Sequence, residues 1–255
     1  MPTLDRDGVG IHYEVAGNGP RTVLLSHGWA ASSRMFAANA AALAERHTVV
    51  TWDQRGHGRS DYPSSPAAYS TPLAVADMAE LLDAVGAERA VVAGHSLGGY
   101  LSLELLLAHR PRVEALVLID TGPGYRNDEA RDGWNAMAER FAARLDARGL
   151  DGLPGGQEQR GDEHRDATGL SAAARGVLIQ HDGRVLEALP TIAVPTLVLV
   201  GAEDEPFLAG SRYMAARIPG AQLVEITGAG HAPNLTHSQQ FDEALAGFVA
   251  SLDDG

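Results

Sequence analysis

The sequence contains no cysteine, and all 20 of its basic residues are arginine. The first absence removes disulfides, thiolate metal sites and thiol nucleophiles, and leaves the redox compartment open. The second removes a lysine Schiff base, the lysine of a phosphate-binding loop and a Ser-Lys dyad. Positive charge is scarce as well. The 20 Arg face 33 Asp and Glu for a formal net charge of −13, the wrong sign for nucleic acid or an anionic membrane, so neither is an expected partner. Long apolar runs are missing too: Val113–Ile119 and Thr196–Val200 fall far short of the roughly 18 residues a spanning helix needs. Met1 to Asp7 shows no basic region leading into an apolar stretch, so no secretory signal is expected and a cytoplasmic location is the default.

With 45% apolar and 21% charged residues over 255 positions, the chain can bury a sizeable core, as one α/β domain with an insertion or as two domains. Short aliphatic or β-branched runs recur at Ile11–Val15, Thr22–Ser26, Val49–Trp52, Ala90–Ala93, Val113–Ile119, Thr196–Val200 and Leu223–Ile226. Each has the length of a strand. Between most of them lie Ala- and Leu-rich stretches with helical spacing, at Met35–Arg46, Leu73–Val85, Leu97–His109, Phe207–Arg217 and Phe241–Leu252. Strands apolar on both faces that alternate with helices predict an α/β fold with a mostly parallel, doubly wound sheet. The opening segment, with Gly8 and Gly17-Asn18-Gly19-Pro20, reads as an antiparallel, hairpin-like edge.

One stretch breaks the rhythm. From Gly122 to Asp166, 17 of 45 residues are charged and no strand pattern occurs. Asn127 is placed to cap a helix whose apolar stripe is Trp134, Met137, Phe141 and Leu145, ending before Gly149. Gly152–Gly161 reads as a mobile loop, and Ser171 as the cap of a second helix through Gln180. These features predict a helical lid over residues 122–189, inserted in a core made of residues 1–121 and 190–255. Trp134, Met137 and Phe141 have no other obvious core to join, so they are candidate substrate-pocket residues. The acidic, His-containing run at 161–166 reads as solvated lid surface rather than a metal site.

The chemistry centres on Gly94-His95-Ser96-Leu97-Gly98-Gly99, which follows a buried strand and opens an aliphatic helix. That is the context of a nucleophile elbow, with glycines permitting a sharp turn and Ser96 Oγ exposed at a helix N-terminus. Serine needs a base. Of ten histidines, His231 is best placed, in a turn after the last strand at the carboxyl edge of the sheet. His57 reads as structural and His95 as pointing elsewhere; His12, His47, His109, His164, His181 and His237 read as surface or turn residues. Asp204, just past the penultimate strand, is the candidate carboxylate to orient the imidazole, with Asp120 as a competitor. Oxyanion donors are expected from the backbone N–H of Leu97 and of Trp29, whose indole would also wall the pocket.

These blocks, His27-Gly28-Trp29, the 52–60 segment WDQRGHGRS, GHSLGG at 94–99, PTLVLVGAED at 195–204 and GAGHAPNL at 228–235, resemble the α/β-hydrolase fold superfamily over essentially the full length. The likeness is to its lid-bearing esterase, lactonase and haloperoxidase-like members. It implies a triad of Ser96, Asp204 and His231, an oxyanion hole at Trp29 and Leu97, and a structural role for Asp53 and Arg55. Serine at the nucleophile position argues against haloalkane dehalogenases and epoxide hydrolases. Thr236-His237-Ser238 departs from the acidic residue and Pro that relatives carry there.

The resemblance therefore implies a serine hydrolase acting on a small or medium ester or lactone, with no metal or organic cofactor. Two other classes use the same scaffold. One is a carbon-carbon lyase similar to the menaquinone-pathway synthase that eliminates pyruvate, although Tyr100 stands where that group has Arg. The other is a non-catalytic ligand-binding member of the fold. The natural substrate and oligomeric state are not encoded in any motif.

Overall fold

The alternation of short aliphatic strands and helices builds one mixed sheet in the computed structural model, which describes residues 2–159 and 164–253. β1 (Thr3–Arg6) and β2 (Val9–Ala16) form an antiparallel hairpin. Its turn is Asp7-Gly8, with φ of 58° and 82°, the pairing a two-residue hairpin favours. β1 carries too little apolar pattern to be read as a strand run of its own, but it supplies the antiparallel, hairpin-like edge expected of the opening segment with Gly8. Then come β3 (Thr22–Ser26), β4 (Thr48–Trp52), β5 (Ala90–His95), β6 (Val113–Ile119), β7 (Thr196–Gly201) and β8 (Gln222–Ile226). The spatial order is β1-β2-β4-β3-β5-β6-β7-β8, with every pair from β4 through β8 parallel. The order reverses at β3, and open parallel sheets place their sites outside the carboxyl ends at such a point.

Alternate residues of each strand feed two cores. Leu24, Val50, Val92, Leu116 and Leu118 face α2 (Thr71–Ala84) and α3 (Leu97–Ala108). Val23, Leu25, Val91, Val117 and Ile119 share the opposite core with α1 (Ala37–Leu43) and α9 (Ser238–Ser251). Burial on both faces is why these strands read as continuous aliphatic runs. No helix among the described residues is long and apolar enough to cross a membrane.

Between β6 and β7 lie α4 (Asp128–Arg148), α5 (Ala167–Ala173) and α6 (Arg184–Ala188). Asn127 caps α4, its side chain accepting from the N–H of Glu129 and of Ala130. Ser171 is not a cap. α5 begins earlier, capped by Asp166 through the N–H of Thr168 (2.9 Å), and Ser171 sits inside it, bonded to Asp146. The α4 stripe also finds a core after all: Ala138, Ala142 and Leu145 are buried with Leu170, Ala173 and Val177, continuous with the α2–α3 side of the sheet. A short 3₁₀ turn at Gly149–Gly152 leads into the Gly152–Gly161 stretch expected to be a mobile loop, and another occupies Gln157–Gln159 within it; residues 160–163, shared between that loop and the 161–166 run, lie outside the described residues. A π-helical turn, Ala174–Leu178, continues α5, and α7 (Glu205–Arg217) and α8 (Pro233–Thr236) complete the α-helices among the described residues.

Candidate active site

The turn from β5 into α3 is as tight as the sequence implied. Ser96 has φ 50° and ψ −115°, an unfavourable conformation for a residue with a side chain. Its neighbours explain why two glycines are needed: a methyl at Gly94 would lie 2.1 Å from the Gly98 carbonyl oxygen, and one at Gly98 would lie 2.1 Å from that of Ser26. The strain is held by a bond on each side. Ser96 N–H donates to Ile119 O (2.9 Å), and Thr121 Oγ1 donates to Ser96 O (2.7 Å).

His231 lies in the loop after β8. A methyl at Gly201 would strike the Gly230 carbonyl at 2.1 Å, so a bare backbone at the end of β7 is what lets this loop settle against Asp204. His231 Nδ1 is 2.8 Å from Asp204 Oδ2, with Asp204 buried and the imidazole partly exposed. Nδ1–H donates to the carboxylate, which leaves Nε2 as the ring's acceptor. Asp204 stands at the N-cap of α7 but makes no capping bond there, so its carboxylate is free for the imidazole. Phe207 stacks on the His231 ring at 4.8 Å.

Ser96 opens into a cavity of about 210 Å³ whose walls include Tyr100, Tyr125, Trp134, Gln180 and Phe207. Among the described residues no charged side chain lines it. Burial and the adjoining Glu104 push the Tyr100 phenol well above its usual range, so it stays neutral. Ser96 and His231 reach the same edge of the sheet without a direct hydrogen bond between them, a common state of unliganded sites. Leu97 is the first residue of α3, and the loop after β3 passes beside the serine: a methyl at Gly28 would lie 3.2 Å from Ser96 Cβ. The backbones of Leu97 and Trp29 thus flank the candidate nucleophile.

Other expectations are corrected. The Trp29 indole does not wall the cavity; its Nε1–H donates to Leu170 O (3.0 Å) and its ring stacks on Phe141 at 5.1 Å, tying the β3 loop to the insertion. Of the three candidate pocket residues, Trp134 lines the cavity, whereas Met137 and Phe141 are half-buried away from it. His12, His47 and His164 are buried, not surface, residues. His164 accepts from Gly58 N–H (3.1 Å) and faces Ala30 O (3.1 Å) with its other nitrogen, joining the insertion to two core loops. Asp53 and Arg55 are structural: Asp53 accepts the N–H of Ser33 and of Arg59, and Arg55 pairs in a fork with Asp77 at 2.6 and 2.8 Å.

Two residues near the site were not foreseen in their present roles. His95 is fully buried, and its Nε2–H donates to the carbonyl of His231 (2.6 Å), so it points at the histidine loop and not elsewhere. Asp120, weighed only as a rival to Asp204, lies with it: atoms of Asp120, Asp204 and His231 all fall within 4.8 Å of one another. Two buried carboxyls thus lie behind the imidazole, Asp204 bonded to its Nδ1 and Asp120 beside Asp204.

The model of the alpha/beta hydrolase family matches residues 23–244. This chain belongs to that family. It is 35% identical to a pimeloyl-[acyl-carrier protein] methyl ester esterase of Xanthomonas campestris pv. campestris, over 95% of this chain and all of the relative. The solved enol-lactonase from Burkholderia xenovorans LB400 superposes with a TM-score of 0.79 at 26% identity, covering 98% of this chain and all of that one. MenH from S. aureus superposes with a TM-score of 0.83 at 22% identity, covering 95% of this chain and 99% of that one, a likeness of fold. The family's esterase-like members are therefore the relevant comparison for the site.

Proposed function

We propose that this chain is a serine hydrolase that cleaves a small or medium carboxylic ester or lactone. The observation that carries this reading is the uncharged wall of the cavity that holds Ser96. A substrate with free carboxylates would need fixed cations there, since a buried unpaired carboxylate is costly and Arg is the usual remedy. Arg126, Arg131 and Arg212, close in sequence to lining residues or to the acid strand, are not in the cavity wall. Arg212 pairs in a fork with Glu225, and Arg131 pairs with Asp128, both outside the cavity lining. That counts against a pyruvate-eliminating lyase and for a neutral acyl group. The names of the Xanthomonas esterase and the Burkholderia enol-lactonase support the same bond class.

In this mechanism His231 Nε2 takes the Ser96 proton as Oγ attacks the carbonyl carbon. The N–H groups of Leu97 and Trp29 receive the oxyanion, and Asp204 stabilises the imidazolium. His231 returns the proton to the leaving alcohol. Water, deprotonated in turn by His231, attacks the acyl-enzyme carbonyl, and the bond to Ser96 Oγ breaks as His231 returns the proton to that oxygen, freeing the acid and the serine. No step calls for a metal or an organic cofactor. Residues 122–189 act as a lid, with Trp134 forming the part that meets the substrate.

The test is a panel of p-nitrophenyl esters of increasing acyl length alongside simple lactones, with Ser96→Ala as the blank and pyruvate release assayed in parallel on the menaquinone-pathway intermediate. Hydrolysis of short neutral esters with no pyruvate release is expected. Inert esters and lactones with rapid pyruvate release would reverse the assignment.

A further inference from the structure

We infer that Asp120 carries a proton and donates it in a hydrogen bond to the Asp204 carboxylate, acting as a positioning residue behind the Asp204–His231 pair. The role in catalysis rests on the proposed hydrolase reading; the protonation itself does not.

Asp120 follows β6, has no exposed surface, and adopts φ 43°, a left-handed conformation that a residue with a side chain enters at a cost. The surroundings impose it. Asp120 N–H donates to Leu199 O (2.9 Å), the next residue holds the Ser96 carbonyl through Thr121 Oγ1, and Ser211 Oγ donates to Thr121 O (3.3 Å). A backbone held this firmly directs the carboxyl inward. Its Oδ1 accepts the N–H of Gly201 (2.9 Å), while its Oδ2 is buried with no donor to accept from. An ionised oxygen left bare in a dry interior is expensive. An oxygen that bears a proton and faces a carboxylate is satisfied.

The neighbourhood decides which carboxyl keeps the charge. The titratable groups on the elements around Asp120 are Asp204 beyond β7, His231 beyond β8 and His95 on β5. His95 is kept neutral by burial and by the adjacent His231. Two carboxylates this close, both buried, share one negative charge. Asp204 receives the imidazole N–H and is the better home for it; Asp120 receives one neutral backbone N–H. Burial foremost, and then Asp204, push the Asp120 carboxyl up to about 9 against the opposing Gly201 N–H. The pair then holds a single charge, the amount that a transient His231 imidazolium balances. The bond from Asp120 also fixes the Asp204 carboxylate so that Oδ2 stays turned to Nδ1.

Asp120→Ala, which cannot donate, should lower kcat by about 30- to 100-fold with KM little changed, in line with the cost of a misplaced catalytic group. Asp120→Asn can still accept from Gly201 and donate to Asp204, and should recover most of that loss. Two readouts do not involve turnover. The infrared spectrum of wild type minus Asp120→Asn should contain a protonated-carboxyl C=O band at pH 7 that vanishes as the pH passes about 9. The unfolded chain ionises Asp120 near pH 4 while the folded chain keeps the proton. The unfolding constant of wild type relative to Asp120→Asn should therefore rise with pH, by up to about tenfold per unit, until the folded group ionises. Absence of the band, or a stability difference that is flat with pH, would overturn the inference whether or not any ester is hydrolysed. So would loss of activity on chelation with recovery on adding a divalent cation, which would make the cluster a metal site. If the band and the stability slope hold but Asp120→Ala is fully active, the proton stands and the positioning role falls.

Discussion

His95 and His231 are joined ring to backbone: the buried His95 Nε2–H donates to the carbonyl of His231 across 2.6 Å, and the two rings lie 4.7 Å apart. The residue before the candidate nucleophile thereby sets the height of the loop that carries the candidate base. Gly28 closes the other side, since a methyl there would lie 2.7 Å from His95 Nδ1.

Removing that anchor should misplace the base without touching substrate. His95→Ala is expected to lower kcat by about 10- to 100-fold, the range for a shift of roughly 1 Å in a reacting group, with KM nearly unchanged. His95→Gln, which can still donate, should recover part of the loss. Steady-state kinetics on one short ester decide it; an equal loss in both variants would mean that packing alone matters there.

Ser96→Ala should remove nearly all turnover, on the order of 10⁶-fold if the serine acts as in other triads. The fold should survive, because the strained turn is held by backbone bonds and by glycines that remain. Single-turnover assays with a thermal melt of the same preparation separate the two effects.

Asp204→Asn is expected to cost about 10⁴-fold in kcat, since an amide cannot hold the same imidazole tautomer or stabilise its cation. The structure favours Asp204 over Asp120 here, because His231 Nδ1 is already bonded to it at 2.8 Å. A mild Asp204→Asn beside a crippled Asp120→Asn would exchange their roles.

The parts of this site that were legible in the sequence are those fixed by local geometry. Gly94 is required by the turn itself, whose Gly98 carbonyl passes within contact distance, and Gly98 belongs to the same Gly-x-Ser-x-Gly pattern although the backbone it clears is that of Ser26 on β3. Asp204 and His231 could be placed because each follows a strand at its carboxyl end. What escaped depends on which distant surfaces meet. His95, His164 and Asp120 are polar residues whose partners lie 136, 134 and 81 positions away, at His231, Ala30 and Gly201. No local pattern encodes those meetings. The same holds for the α4 stripe, whose buried side is made by the small residues Ala138 and Ala142 as much as by the large ones.

Acid should destabilise the fold well above the range in which carboxylates protonate. Burial holds His57 and His95 well below the ordinary imidazole range, and lowers His12 and His47 too, helped by Arg59 and Arg21 respectively. For a base depressed in the folded state, the stability is present above the unfolded value of about 6.5 and is lost as the pH falls below it. Asp120 works in the opposite sense, but it is one group against four. The urea midpoint should therefore drop between pH 7.5 and 5, and His57→Asn should make that drop shallower. An unchanged midpoint over this interval would mean that these imidazoles are accessible to protons in the folded chain.

Trp134 and Phe141 occupy one face of α4 but should behave differently. Trp134 lines the cavity and is held by its Nε1–H on Leu178 O (2.8 Å), so on the proposed reading its ring would limit the depth open to an acyl chain. Trp134→Ala should enlarge that space and shift preference toward longer p-nitrophenyl esters, by about tenfold in relative kcat/KM, given a methylene selectivity of roughly 1–3 kcal/mol in an apolar pocket. Phe141 lies off the cavity, stacked on Trp29, and links the insertion to the β3 loop. Phe141→Ala should instead destabilise the protein by about 2 kcal/mol, below the range for a fully buried Phe because this one is half-buried. Its effect on chain-length preference should be small. A chain-length series on both variants, paired with denaturation curves, tests the division. If Phe141→Ala shifts the preference as strongly as Trp134→Ala, the Trp29–Phe141 stack moves with the substrate, and the boundary of the pocket extends to the β3 loop.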